Sequence, residues 1–170
     1  MQFHSEIVNS KFGKFYILDS RKGLHFILKN NDKRVKALIK NYNPIKGLFN
    51  KNIIKVFQSN ILGNKITLKV KIKFLECSEF QKTVWKELLK INYGRTISYS
   101  GVANLISYPK AVRAVASAVG KNPISIIVPC HRVIRKNGSI GGYAWGDKMK
   151  KELLDVEVVG MADSIYRGGK

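Results

Sequence analysis

From Phe3 to Leu28 apolar side chains alternate with polar ones or gather in short runs. Phe12-Gly13-Lys14-Phe15-Tyr16-Ile17-Leu18 and Leu24-His25-Phe26-Ile27-Leu28 flank the turn-prone stretch Asp19 to Gly23. This pattern predicts a small antiparallel sheet, with His25 a structural residue inside an apolar strand. Asp32 can then cap a helix in which Val35, Leu38 and Ile39 share a face, ending near Asn41-Tyr42-Asn43-Pro44. Ile66 to Phe74 alternates apolar residues with Lys69, Lys71 and Lys73, as an edge strand or extended connector with one solvated face would.

Beyond the connector the period changes. Ser78-Glu79-Phe80-Gln81 opens a helix whose buried stripe is Phe80, Val84 and Leu88, with Trp85 read as core. Tyr93-Gly94 breaks the chain. Ser100 to Ile106, the turn Ser107-Tyr108-Pro109 and Lys110 to Val119 then read as a helix-turn-helix. Its second helix carries Ala111, Ala114, Ala116, Ser117 and Ala118 around one long cation, Arg113. Such small side chains suit close approach to a duplex or a tight helix-helix contact. The expected fold class is α/β in the α+β sense. Residues 1–76 would form a structural domain, a small antiparallel sheet with a helix, plus the connector. Residues 77–170 would form a mostly helical domain with the helix-turn-helix.

Charge adds a partner to this outline. The 170 residues carry 31 Lys and Arg against 11 Asp and Glu, a formal net charge of +20, and both halves are basic. A field of that size favours a polyanionic partner, whose released counterions make binding steeply salt-dependent; lysines that only solvate the surface are the plainer explanation. Met1 leads into a mixed polar stretch, and no apolar run approaches the roughly 18 residues a membrane span needs. An intracellular, cytoplasmic protein without membrane association is expected. The only cysteines are Cys77 and Cys130, so no Cys-x-x-Cys pair exists and no metal site is expected.

One segment brings candidate chemistry. The apolar run Ile124 to Val128 reads as a buried strand, and Pro129-Cys130-His131-Arg132-Val133 follows it. A thiolate is the nucleophilic form of cysteine, favoured by a helix N-terminus, nearby cations or a general base. Adjacent side chains on regular backbone diverge, so His131 would reach Cys130 through a water or from an irregular turn. A packed cysteine beside a surface histidine is the commoner arrangement for such a dipeptide.

The wider setting carries a resemblance. Phe80-Gln81-x-x-Val84-Trp85, Tyr93-Gly94-x-Thr96-x-Ser98-Tyr99, Arg113-Ala114-Val115, Asn122-Pro123-Ile124, Ile127 to Val133 and Gly141-Gly142-Tyr143 occur in order across Phe80 to Glu157. This stretch resembles the C-terminal domain of the O6-alkylguanine-DNA alkyltransferases, suicidal DNA-repair proteins. The resemblance implies that Cys130 accepts the alkyl group irreversibly, once per molecule and without a cofactor. It also implies that His131 takes the Cys130 proton through a water, that Glu157 supports the imidazolium, and that Asn122 ties the helix-turn-helix to the reactive segment.

For the DNA, the resemblance implies minor-groove binding, extrusion of the damaged base and Arg113 in its place, with Tyr99 crowding the adjacent phosphate. The carbonyls of Cys130 and Val133 would accept from the guanine amine. Tyr143 and its glycines would wall the pocket, and the Ala144 N–H would donate to the reacting oxygen. The implied partner is double-stranded DNA containing O6-alkylguanine, with O4-alkylthymine a poorer substrate, and the protein is expected to be a monomer.

Several positions depart from the family pattern. Ala116 stands where Gly is common and Asn92 where Pro is usual, both adjusting packing; Ala144 stands where many members have Ser, and the missing hydroxyl implies an altered substrate range. The alternative is a non-enzymatic, alkyltransferase-like lesion-binding protein, but such proteins lack the acceptor cysteine that this chain keeps. A cysteine hydrolase using Cys130, His131 and Glu157 fits the basic charge and the helix-turn-helix poorly.

Overall fold

In the computed structural model, which describes residues 1–64 and 69–167, strands β1 (Phe3–Ser10), β2 (Gly13–Ser20) and β3 (Gly23–Lys29) form an antiparallel meander. Its turns are two residues long, and Gly13 and Gly23 take the positive φ that closes them. Asp19 and Ser20 belong to β2, so the turn is tighter than the sequence suggested. Helix α1 (Arg34–Tyr42) follows. A short strand β4 (Ile45–Lys46) runs parallel to β1, giving the order β3-β2-β1-β4.

Strand β2 is buried on both faces, which explains its unbroken apolar run. Tyr16 and Leu18 pack with Phe3, Phe26, Val35 and Leu38 beneath α1. Phe15 and Ile17 face the larger cluster, which holds Ile53 and Phe57 of α2 (Asn52–Ile61) and Val84, Trp85 and Leu88 of α3 (Glu79–Leu88). Each of these side chains stabilises the fold by about 1.5–3 kcal/mol when fully buried. That one cluster includes residues from both halves of the chain. The N-cap of α1 is Lys33 rather than Asp32, but the Asp32 carboxylate, one residue earlier, accepts from the Arg34 N–H at 2.9 Å. Ile39, however, is 49% exposed and stands apart from the face that Val35 and Leu38 bury.

Two segments extend the free side of β3 and thereby position the reactive loop. The connector does so first: Leu24 N–H donates to Lys71 O at 2.8 Å, and Lys73 N–H to Leu24 O at 3.0 Å. His25 locks it from within, its Nδ1 2.8 Å from Lys73 O and its Nε2 2.8 Å from Ser20 Oγ. Ile66 to Leu68, the start of the stretch assigned to the connector, lie outside the described residues. Further along β3, Ile27 N–H donates to Pro123 O at 2.8 Å, holding the segment that leads to Cys130.

Helix α3 begins with the capping box expected from Ser78 and Gln81. Helices α4 (Tyr99–Leu105) and α5 (Val112–Gly120) form the helix-turn-helix, with Ser98 capping α4 and Ser107 turning the chain at φ 63°. Trp85 is core, its Nε1–H donating to Ala118 O at 2.8 Å. The small residues of α5 therefore divide: Ala118 is buried in the helix contact, while Ala114, Ser117 and Arg113 are exposed. Strand β5 (Ile97–Ser98) pairs parallel with β6 (Val133–Ile134), tying the start of α4 to the reactive segment. Helix α6 (Asp147–Arg167) closes the structure. Gly63 lets α2 meet it, since a Cβ there would lie 2.5 Å from Val156 O.

Candidate active site

Ile124 to Val128 is a tight loop rather than a strand. Ser125 and Val128 bridge across it, Val128 N–H donates to Ile124 O at 2.9 Å, and Ile126 sits at φ 74°. An apolar run alone cannot distinguish such a loop from a buried strand. Asn122 braces it from inside, with Oδ1 accepting from Ile124 N–H at 3.0 Å and Nδ2 donating to Val128 O at 2.9 Å. These bonds hold a β-branched residue in a left-handed conformation that it would otherwise avoid. The chain leaves through Pro129 into a single 3-10 turn, Cys130–Arg132. That irregular turn separates the thiol and the imidazole.

Cys130 is buried and lines a cavity of ≈200 Å³ with Tyr99, Ala116, Asn122, Ser125, Tyr143 and Ala144. Burial raises the pKa of its thiol above the ordinary value; Asn122, Tyr143 and the Lys150 charge oppose this without cancelling it. The resting sulfur is therefore a thiol that needs a base. The Tyr143 hydroxyl is buried beside it and makes no hydrogen bond.

The base has a defined face. His131 Nε2 lies 2.8 Å from Glu157 Oε1, both groups being buried. An ionised carboxylate only accepts, so Nε2 carries the hydrogen and the neutral ring presents a lone pair at Nδ1. Nδ1 is buried without a partner among the described residues. Burial lowers the His131 pKa, although Glu157 pulls the other way, and the ring rests neutral. Burial also opposes ionisation of Glu157. Its hydrogen bonds from His131 and Arg132, with their charges, outweigh that effect and hold its pKa at about 2.

Arg132 is a member of this network that sequence reasoning left without a role. Its Nε and Nη2 clamp Glu157 at 2.9 and 2.8 Å, and Nη1 donates to Ile91 O at 2.7 Å. Its guanidinium also lies over the Tyr93 ring, 5.5 Å from the centroid. Gly94 N–H donates to Glu157 Oε2 at 3.2 Å from a backbone at φ 68°, which accounts for Tyr93-Gly94. Lys150 was missed as well. It is buried, its Nζ donates to Val133 O at 2.6 Å and lies 5.9 Å from the Tyr99 ring centroid. Arg132 directly follows Cys130-His131, but its residue type does not show that it is buried, and Lys150 has no local signal at all, because a buried cation reads like a surface one.

The other expected residues are placed as follows. Tyr99 opens α4 and lines the cavity, whereas Arg113 is exposed on α5, away from the His131–Glu157 network. Tyr143 and Ala144 line the cavity. Gly141 takes φ 66° and lies against Tyr99, while Gly142 needs neither positive φ nor close approach. The carbonyls of Cys130 and Val133 already accept from Val133 N–H and Lys150 Nζ, leaving each one lone pair. Among the described residues no three His, Cys, Asp or Glu side chains group as metal ligands, and no helix is long and apolar enough to cross a membrane.

Comparison with known proteins agrees with this geometry. Residues 79–159 match the family described as 6-O-methylguanine DNA methyltransferase, DNA binding domain. The methylated-DNA–protein-cysteine methyltransferase of Methanosarcina mazei is 37% identical over 157 residues, covering 92% of this chain and 97% of that protein. The chain belongs to the methylated-DNA–protein-cysteine methyltransferase family. The inducible member from Bacillus subtilis is 58% identical over 80 residues, 47% of this chain, and the match spans only 45% of that relative's length. The crystal structure of Mycobacterium tuberculosis OGT in complex with DNA superposes with a TM-score of 0.80 at 32% identity, covering 94% of each chain. Family membership thus rests on more than nine tenths of the chain, not only on the stretch around Cys130.

Proposed function

We propose that this methyltransferase-family protein repairs DNA by transferring the alkyl group of O6-alkylguanine, and less efficiently of O4-alkylthymine, to Cys130. It would do so irreversibly and once per molecule. The observation that carries the reading is the Cys130 thiol facing a cavity while the neighbouring His131 offers an unpartnered Nδ1. His131 takes the thiol proton at Nδ1 through a bridging water, and Glu157 stabilises the imidazolium that forms. The sulfur lone pair forms the S–C bond as the C–O6 bond breaks. That electron pair returns to the guanine oxygen, toward which the Ala144 N–H donates, and the proton passes to the base. A thioether is not a leaving group, so the protein is spent.

Access to the target requires the base to leave its stack. Exposed Arg113 fills the gap, the small residues of α5 allow close approach in the minor groove, and Tyr99 crowds the phosphate. The Cys130 and Val133 carbonyls use their remaining lone pairs on the guanine amine. Residues 77–170 carry this chemistry, and residues 1–76 support the loop through β3. The protein acts inside the cell on double-stranded DNA. Single-turnover assays test the reading: Cys130→Ala should abolish transfer while keeping lesion binding, and stoichiometric transfer by that variant would overturn it.

A further inference from the structure

Part of the +20 charge gathers outside the Cys130 cavity. Two adjoining depressions, of ≈430 and ≈590 Å³, share Arg21, Phe49 and Lys71 on their walls. Lys51 lines the first and Lys22 the second. All four cations are exposed, and among the described residues no carboxylate lines either depression. Neither shares a residue with the Cys130 cavity.

An aromatic ring stands in the middle of these cations. Phe49 is 53% exposed, with the His4 ring 5.9 Å away. Its loop is held firmly. The buried Asp19 carboxylate accepts from Phe49 N–H at 3.0 Å and from Asn50 N–H at 2.8 Å, and Leu48 is anchored in the core. An internal carboxylate thus fixes the backbone that presents a large apolar side chain to solvent.

Cations that track phosphates, interleaved with a rigid exposed aromatic face, are the arrangement that binds unpaired nucleotides. We propose that Arg21, Lys22, Lys51 and Lys71 with Phe49 form a second nucleic-acid site, which takes single-stranded DNA by stacking a base on Phe49. Duplex DNA gains less there, because its bases are already stacked.

The test is fluorescence anisotropy of a labelled oligo(dT) with the full chain, titrated at several salt concentrations. Phe49→Ala should weaken binding by at least about fivefold without changing the salt slope, whereas Phe49→Trp should bind like the parent. R21E/K71E should weaken binding and flatten the salt slope. An unchanged melting temperature for each variant excludes misfolding as the cause. Transfer to free O6-benzylguanine should be unaffected, which separates this site from the proposed reaction. Parental affinity in Phe49→Ala or in R21E/K71E, or failure of Phe49→Trp to restore binding, would overturn the proposal.

Discussion

Arg132 and Glu157 are joined by three hydrogen bonds, Nε donating to Oε1 and Oε2 at 3.1 and 2.9 Å and Nη2 to Oε1 at 2.8 Å, while the same carboxylate holds His131 at 2.8 Å. One buried anion therefore serves a permanent cation and a ring that changes its charge. Arg132 keeps Glu157 ionised before reaction, and an ionised Glu157 fixes which nitrogen of His131 is free.

Glu157→Gln should break this arrangement at two points. It leaves the Arg132 charge buried without its counter-ion, for a loss of about 3–5 kcal/mol. It also replaces a group that can only accept with an amide that can turn either its oxygen or its NH2 toward His131, so the tautomer is no longer fixed. We expect a lower denaturant midpoint, and transfer slowed even under conditions where the variant stays folded.

Acid should destabilise the protein in two steps. The folded His131 pKa is lowered from 6.5, so the unfolded chain takes up that proton first and stability begins to fall as pH drops below 6.5. Glu157 adds a second loss between 4.5 and about 2, on the order of 3 kcal/mol. The transfer rate should also fall in acid, at a pH below 6.5, where His131 becomes protonated and can no longer take the thiol proton, and should level off toward neutral pH. Urea melts and single-turnover rates across pH check both. A plateau confined to alkaline pH would show that thiolate forms without His131.

Asn122→Ala should disturb the reactive loop more than its size suggests. The change leaves the buried Ile124 N–H without a partner, costing about 1–3 kcal/mol, takes one of two donors from Val128 O, which keeps the Cys130 N–H at 2.8 Å, and frees Ile126 from its left-handed conformation. Both a reduced melting temperature and loss of transfer are expected; normal transfer would remove Asn122 from the site.

Arg113→Ala should behave in the opposite way. Arg113 is exposed and forms no ion pair among the described residues, so stability should change by no more than about 0.5 kcal/mol. Repair of duplex DNA should fall further than reaction with free O6-benzylguanine. Equal losses on both substrates would count against a role in base extrusion.

How far the sequence reveals this molecule depends on how local each cause is. Ser78 and Gln81 state their capping box within four residues, and Trp85 announces core by its helical spacing. Ile53, Val56, Phe57 and Ile61 carry the same kind of signal, which would have found helix α2 had the stretch been read at a 3.6-residue period. The loop at Ile126 was hidden because its shape is imposed by Asn122 and by Ile27 of β3, not by its own apolar residues. Arg132 and Lys150 were hidden for a related reason: their partners lie 25 and 17 residues away, and nothing local marks a buried cation among so many exposed ones.

The most direct test is intact mass of the protein after incubation with a duplex carrying one O6-methylguanine, followed by peptide mapping. The account predicts one added methyl group per molecule, saturating, and located on Cys130. Unmodified protein that still selects the lesion, or a methyl group found on Cys77, would contradict it.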